Sequence, residues 1–271
     1  MEFLKAILIY PPITRAFLIG FAVSVCAALV GVSLVLKRYS MIGDGLSHVA
    51  FGTVSLAFAL NLAPLAVTLP VVMLAAFLLL RLSQNGSIKG ESAVALISVV
   101  SLAAGVAAAN LSGVNVDINS YMFGSILLTD KTDLWLCLPL AAVCLVMFLL
   151  FYHDLFLITF DEEFAAASGT RVGTYKTVLA LMTALIVVIG MRVMGTLLIS
   201  GLIIFPALTA MRLFRSFRGV VICSAAVSAA AFVTGLCAAY YINLPAGAAI
   251  VLSDALYFLI FYTAGKIRRV S

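Results

Sequence analysis

Long apolar runs follow one another along almost the whole of this sequence. A helix needs about 20 residues to cross a bilayer without tilting. Nine runs reach or approach that length, at about residues 14–36, 44–61, 63–81, 92–111, 133–152, 177–191, 193–211, 218–241 and 246–265. Several are short, so the second and third, or the sixth and seventh, are candidates for broken or tilted elements. The sequence therefore predicts an all-α membrane helix bundle with about eight or nine transmembrane helices.

The composition excludes a soluble domain of this size. Of the 271 residues, 65% are hydrophobic and 10% are charged, and the mean hydropathy is +1.24. A soluble protein with such a surface would aggregate. The first long run ends in Lys37-Arg38 rather than in a small-residue cleavage site, so we expect it to remain as a transmembrane helix. The net charge of +5 suits the cytoplasmic loops of a membrane protein and gives no support to nucleic-acid binding.

Lysine and arginine are distributed unequally between the two sides of the predicted bundle. With the N-terminus outside, four of the 16 basic residues fall on the outer side, namely Lys5, Arg15, Lys131 and Arg192. The other twelve fall on the inner side, namely Lys37, Arg38, Arg81, Lys89, Arg171, Lys176, Arg212, Arg215, Arg218, Lys266, Arg268 and Arg269. Because positive residues concentrate in cytoplasmic loops, we predict a multi-pass protein of the plasma membrane with a cytoplasmic C-terminus. No long polar segment remains, so residues 1–271 are expected to form one integral membrane domain.

A carboxylate and an imidazole stand four residues apart near the start of the second apolar run. The segment reads Gly43-Asp44-Gly45-Leu46-Ser47-His48, and on a helix this spacing places Asp44 and His48 on one face, one turn apart. A charge within the hydrocarbon region costs at least about 2.5 kcal/mol, so the pair is a candidate site. Such ligands suit Zn²⁺, Mn²⁺ or Fe²⁺, although two of them do not complete a shell. The alternative is structural: Asp44 as a helix N-cap, and His48 hydrogen-bonded to a neighbouring helix.

A short polar helix is predicted on the inner side, at residues 159–169. Thr159 followed by Glu162 forms a capping box, and Gly169 suits a left-handed helix end. The segment in between contains Asp161, Glu162, Glu163 and Phe164, then alanines. A helix of two to three turns is marginal in water, so we expect it to pack against something. Two possibilities stay open, a cytoplasmic partner or the protein's own membrane surface.

The remaining charges and cysteines within the apolar runs have separate interpretations. Asp254 in the last run either lines the same cavity as Asp44 or caps a broken helix, and Arg192 is expected to extend to the outer interface. Pro206 should kink the seventh run, which then either lines a pathway or only packs closely. The cysteines have no CxxC spacing and are interpreted as small core side chains: Cys26, Cys137, Cys144, Cys223 and Cys237.

Taken in order, these segments resemble the permease subunits of the zinc/manganese class of bacterial ABC importers, most closely the zinc permeases of Gram-positive bacteria. The similarity covers essentially the whole chain and is carried by residues 36–48, 121–127, 160–169, 194–200 and 205–210. It implies that Asp44 and His48 coordinate the transported metal and that residues 161–169 form the coupling helix that docks on an ATPase. The chain departs from the family pattern at Gly201, Leu208 and Asp254.

The resemblance implies the permease of an ATP-driven importer of a divalent transition metal, with zinc first and manganese next. The sequence has no GxxxxGK[ST] phosphate-binding loop, so it is not expected to be an enzyme and a separate subunit should hydrolyse ATP. The implied partners are a cytoplasmic ATP-binding subunit, an extracellular metal-binding lipoprotein and a second permease copy. A two-fold axis would let two Asp44/His48 pairs meet and supply the missing ligands. No permanently bound cofactor is expected.

The main alternative is a self-sufficient secondary transporter or channel driven by a proton gradient. In that case Asp44, His48 and Asp254 would form a proton relay, and neither a partner nor a docking helix would be needed. An intramembrane enzyme ranks last, because the sequence contains no HExxH and no pair of acids placed for catalysis within one span.

Overall fold

Helices account for all the regular structure in the described part of the chain. The computed structural model describes residues 10–84, 90–111, 124, 130–196 and 198–270. The helices are α1 (Pro11–Leu36), α2 (Met41–Ala59), α3 (Pro64–Gln84), α4 (Gly90–Leu111), α5 (Lys131–Leu150), α6 (Tyr152–Phe160), α7 (Glu162–Ala167), α8 (Val172–Met194), α9 (Ile199–Leu213), α10 (Phe217–Ile242) and α11 (Ala246–Val270). The predicted all-helical membrane fold is confirmed.

Six of these helices are long and apolar enough to cross a membrane. They are α1, α4, α5, α8, α10 and α11, while α3 and α9 contain shorter apolar stretches. Helix α9 has 15 residues, so it is about 22 Å long and falls short of a hydrocarbon core of about 30 Å. The described residues therefore support six candidate spans, and a total of eight or nine stays a prediction.

Helix α1 lies at the centre of the bundle, where it packs against α5, α8, α9 and α10. Two serines of α10 hydrogen-bond to its backbone: Ser224 Oγ donates to the Ala28 carbonyl at 3.2 Å, and Ser228 Oγ donates to the Ser24 carbonyl at 2.8 Å. Side chains of this size let two backbones approach closely, which is how helices associate when lipid surrounds them. The antiparallel α1/α10 pair is thus fixed by polar contacts as well as by packing.

Helix α2 is held mainly by α4. A Cβ on Gly52 would lie 2.3 Å from the Ser101 carbonyl oxygen, and one on Gly105 would lie 2.6 Å from Gly52 Cα. No side chain larger than hydrogen fits at such a crossing, because the two backbones are in direct contact. Both α3 and α8 also pack against α2, so its position in the bundle is well determined.

Arg192 is paired with Asp133 within the protein, and its expected extension to the outer interface stays a prediction. Its Nη2 atom lies 2.5 Å from Asp133 Oδ1, and its Nε donates to the same oxygen at 3.2 Å. The Asp133 side chain is 5% exposed and belongs to the first turn of α5, whereas Arg192 lies in the last turn of α8. A nearly buried carboxylate needs a cation, which explains why Arg192 pairs with Asp133.

The cysteines behave as small core side chains. All five are free thiols: Cys26, Cys137 and Cys144 are buried, and Cys223 and Cys237 are half-buried. Cys26 Sγ lies 3.4 Å from the Ala141 carbonyl oxygen, at the α1/α5 contact. The structural interpretation of the cysteines agrees with this placement.

Candidate functional site

Asp44 and His48 lie on one face of α2, as their spacing predicts. Asp44 Oδ2 is 3.7 Å from His48 Nε2, and the two side chains are 35% and 19% exposed respectively. The distance is too long for a direct hydrogen bond, and it leaves both atoms free to face a common ligand. A carboxylate oxygen and an imidazole nitrogen so arranged are able to bind one divalent transition metal.

The alternative of Asp44 as an N-cap was wrong. Helix α2 begins at Met41, its N-cap position is Ser40, and Asp44 lies inside the first turn. The helix starts early because the α1–α2 connection is a tight corner rather than a loop. The Asp44 carboxylate is still favoured there, since it lies near the positive end of the helix dipole.

The glycines on either side of Asp44 let neighbouring helices approach. A Cβ on Gly43 would lie 2.9 Å from Ile203 Cδ1 of α9, and one on Gly45 would lie 2.5 Å from Val94 Cγ1 of α4. At Gly45 the obstacle is the short, branched side chain of Val94, so a larger residue there would push α4 away, whereas at Gly43 the end of the Ile203 side chain would have to move. The Gly-Asp-Gly sequence thus places Asp44 between two packed helices.

Within the described ranges, the pair does not belong to a larger cluster of metal ligands. Among the described residues, no group of three or more His, Cys, Asp or Glu side chains is arranged to hold a metal ion. Asp254 therefore does not join Asp44 and His48 in one cluster. Its carboxyl is fully buried in α11, and neither oxygen has a hydrogen-bond partner among the described residues. Phe258, one turn after Asp254 on α11, packs against α9, and its ring lies 6.2 Å from that of Phe205.

The short inner helix begins later than the sequence indicated, and the predicted capping box was wrong. Thr159 belongs to the preceding helix α6, and its hydroxyl donates to the Leu155 carbonyl at 2.5 Å. Asp161 is the N-cap of α7, where its Oδ1 accepts a hydrogen bond from the Phe164 amide at 2.9 Å. Helix α6, which lies between the fifth apolar run and the short inner helix, was not predicted from the sequence.

The end of α7 matches its prediction. Gly169 has a φ of +90°, the left-handed conformation that a side chain disfavours. The Thr170 amide donates to the Ala165 carbonyl at 2.9 Å, and the Gly169 amide donates to the Ala166 carbonyl at 3.1 Å. These two bonds form a Schellman motif, which satisfies the last carbonyls of the helix.

Two lysines hold Glu162 against the bundle. Lys176 Nζ lies 2.5 Å from one carboxylate oxygen, and Lys37 binds the other. Burial raises the pKa of Glu162, but the hydrogen bonds from Lys176 and Lys37 outweigh it and leave the pKa below its usual value. Burial lowers the pKa of Lys37, and the bond to Glu162 opposes that change. Glu162 therefore anchors α7 and does not extend from it.

The exposed face of α7 carries Glu163 and Phe164. The Phe164 side chain is 60% exposed, although it is the largest apolar group on the helix. Pro206 is buried within α9. Of the motif at residues 121–127 only Gly124 is described, with a φ of 78°, and the remainder lies outside the described residues.

Comparison with known proteins agrees with this architecture. The sequence model of the ABC 3 transport family matches residues 9–264. The manganese import system permease protein ScaB of Streptococcus gordonii is 30% identical over 268 residues, which are 98% of this chain and 96% of that protein. A probable metal transport system membrane protein of Treponema pallidum is 31% identical over 88% of this chain and 90% of that protein.

A solved structure has the same fold. The structure of PsaBC from Streptococcus pneumoniae in complex with Fab superposes with a TM-score of 0.86 at 30% identity, covering 96% of this chain and 94% of that one. The ScaB relatives are named as manganese import permeases, and the comparisons do not specifically support the preference for zinc. The resemblance to importer permeases is confirmed. The chain belongs to the ABC 3 transport family, the membrane permeases of ABC-type metal importers.

Proposed function

We propose that this protein imports Mn²⁺ across the plasma membrane and that Asp44 and His48 bind the ion in transit. The observation that carries the proposal is the Asp44/His48 pair itself, with 3.7 Å between its two donor atoms and both side chains accessible. A mixed oxygen and nitrogen donor set suits Mn²⁺, and relatives of this chain are named as manganese import or manganese transport proteins. The metal is cargo, and the proposal includes no permanently bound cofactor.

A second copy of the chain supplies the missing ligands in this proposal. One protomer offers two donors, and most Mn²⁺ sites need more than two. A two-fold axis passing near α2 would bring two pairs together, giving two carboxylates and two imidazoles. Partial exposure of both side chains leaves them open to such a partner.

Helix α7 is the proposed docking element for a separate cytoplasmic ATP-binding subunit. Phe164 and Glu163 form its exposed face, and Glu162 ties it to α1 and α8 through two lysines. The short helix is thus fixed on the face that packs against the bundle, and its opposite face is exposed, as a docking element requires. The bias in Lys and Arg puts α7 and the C-terminus in the cytoplasm. An extracellular lipoprotein delivers the metal from the other side.

The test is transport by the complete system in proteoliposomes. We expect ATP-dependent Mn²⁺ uptake by the wild type, and loss of uptake in Asp44→Asn and His48→Ala without loss of folded protein. Asp154→Asn is the matched control, because it removes a carboxylate from α6, away from α2. Full uptake by both α2 variants would refute the site. Uptake driven by a proton gradient without any ATPase would replace the proposal with a secondary transporter.

Metal preference is measured in the same vesicles by competition. We expect Zn²⁺ to inhibit Mn²⁺ uptake, since imidazole and carboxylate bind both ions. Transport of Zn²⁺ with little or no transport of Mn²⁺ would overturn the choice of metal and leave the choice of site intact.

A further inference from the structure

A cavity outside the proposed metal pathway lies between α6 and the first turn of α10. Its volume is about 380 Å³, within the range of small-molecule sites. Six residues line it: Tyr152, His153, Phe156, Ser216, Phe217 and Arg218. Neither the metal pair nor the exposed face of α7 contributes to it, so the proposed function leaves the cavity unexplained.

Aromatic rings form the wall of the cavity. The ring of Phe217 lies 5.4 Å from that of Tyr152 and 5.2 Å from that of Phe156. Phe217 is 6% exposed, so the wall is part of the protein core and is not a surface contact made by chance. Such a surface accepts apolar or amphipathic groups and repels free inorganic ions.

The rim of the cavity is basic. His153, Ser216 and Arg218 are exposed, and no acidic side chain is among the lining residues. In the described part of the chain, Arg218 forms no ion pair with a carboxylate. Its guanidinium lies near the Tyr152 hydroxyl, which is covered by protein and has no hydrogen-bond partner of normal geometry. The rim therefore offers hydrogen-bond donors and positive charge to an anion.

The cavity lies beside the ends of two candidate membrane spans. Tyr152 follows the end of α5 closely, and Phe217 and Arg218 begin α10, both of which are candidate spans. Aromatic residues and arginines concentrate at this level, beside lipid head groups. The combination of an apolar wall and a basic rim at this depth favours a lipid over a soluble anion.

A second cavity extends the apolar surface along the spans. It has a volume of about 280 Å³ and lies between α1 and α5, with Phe21, Val25, Leu138 and Leu145 among its lining residues. Leu145 precedes Tyr152 by seven residues, which is about 10 Å along a helix. An acyl chain leaving the first cavity toward the bilayer centre would find a second apolar slot along α5.

We propose that the cavity between α6 and α10 binds an anionic phospholipid. The phosphate accepts hydrogen bonds from Arg218 and His153, while the glycerol and the start of the acyl chains contact Tyr152, Phe156 and Phe217. Charge complementarity selects an anionic lipid over a zwitterionic one, because no carboxylate in the lining is available to pair with a choline group. The site is independent of the metal and of the ATPase.

The experiment uses the purified full-length protein and native mass spectrometry with two lipids, phosphatidylglycerol and phosphatidylcholine. We expect the wild type to retain phosphatidylglycerol preferentially, and Arg218→Gln to bind it about tenfold more weakly through loss of a charge-assisted contact. Arg215→Gln is the matched control, because Arg215 is exposed three residues away and does not line the cavity. Thermal unfolding gives a second readout: the phosphatidylglycerol-induced stabilisation should shrink in Arg218→Gln and persist in Arg215→Gln.

Three results would overturn the proposal. Equal retention of phosphatidylglycerol by the wild type and Arg218→Gln would show that the cavity is not the binding site. Equal retention of the two lipids would show that charge does not select the ligand. In a map of the complete transporter in lipid nanodiscs, a side chain from an ATPase subunit or from a second copy filling the cavity would show that a protein occupies it.

Discussion

Lys37 and Glu162 are separated by 125 residues in sequence, and their ion pair joins the α1–α2 corner to helix α7. Lys37 is the C-cap of α1, Arg38 follows with a left-handed φ of 62°, and α2 begins at Met41. The Tyr39 amide closes the corner by donating to the Leu34 carbonyl at 2.8 Å. A tight corner leaves little freedom between Lys37 and the first turn of α2, where Asp44 lies. Displacement of α7 should therefore reach the proposed metal site.

We expect Lys37→Met to impair the coupling of ATP hydrolysis to transport. The Lys37 side chain is 5% exposed, and its removal takes away one of the two cations that hold Glu162, so that only Lys176 still ties α7 to the bundle. The ATPase should still co-purify, because Phe164 and Glu163 are untouched, while metal transported per ATP falls several-fold. Lys37→Arg should restore much of the loss by keeping the charge. Unchanged transport per ATP in Lys37→Met would exclude this route from α7 to α2.

The Glu162 anchor should weaken at acidic pH. A carboxyl whose folded-state pKa lies below its unfolded value stabilises the fold above the unfolded pKa, about 4.3, and the contribution disappears as the pH falls through the folded-state pKa. Limited proteolysis at the α6–α7 connection should thus be slow near neutral pH and faster at strongly acidic pH. Glu162→Gln should be cut rapidly at both. Equal rates for the two proteins at neutral pH would show that the ion pairs do not hold α7.

The exposed face of α7 should determine ATPase association. Phe164→Ala removes the largest apolar group available to a groove, and at 60% exposure its loss should cost the permease little stability. Gly169→Val should act differently, because valine is strained at a φ of +90° and the helix end would be lost. We expect both variants to lose co-purifying ATPase and only the second to unfold earlier. Ala166→Ser, on the same short helix, serves as the control.

Several features of this protein could be read from its sequence because they depend on local spacing. The apolar runs predicted the helical bundle, the i,i+4 rule placed Asp44 beside His48, and glycine alone suited position 169. Helix α6 was missed because it has only nine residues and begins directly after α5, with the single residue Phe151 between the two helices. Thr159 then looked like a cap although it lies inside that helix.

Long-range pairing was beyond the reach of sequence reasoning. Nothing in the spacing of Asp133 and Arg192, which are 59 residues apart, indicates that they meet. The same holds for Lys37 and Glu162, and for the aromatic wall that Phe217 completes against α6. The metal could not be chosen from the sequence for another reason: a carboxylate and an imidazole bind several divalent metals, so the ligand types alone do not distinguish zinc from manganese.

The Asp133–Arg192 pair should stabilise the bundle measurably. Asp133 is 5% exposed and Arg192 22%, which places the pair between exposed pairs, worth about 0–1 kcal/mol, and buried ones, whose disruption costs about 3–5 kcal/mol. We expect Asp133→Asn to lower the free energy of unfolding by about 2 kcal/mol. The double variant Asp133→Leu with Arg192→Leu should recover part of that loss, because no charge is then left buried. A double variant less stable than Asp133→Asn would contradict this account.

Substitution of Asp254 should separate an effect on the stability of the fold from an effect on metal transport. Its carboxyl is fully buried in α11 and has no hydrogen-bond partner in the part of the chain that the structure describes, so it is costly to the fold whether ionised or not. Asparagine has nearly the same shape and carries no charge, so we expect Asp254→Asn to be at least as stable as the wild type, with a midpoint raised by up to about 4 °C. If Asp254 lines the metal pathway, the same variant should lose most Mn²⁺ uptake although it is well folded. Thermal unfolding and proteoliposome uptake should be measured on one preparation of Asp254→Asn. A more stable variant with full uptake would remove Asp254 from the pathway. A less stable variant would mean that the Asp254 carboxyl makes a contact that stabilises the fold.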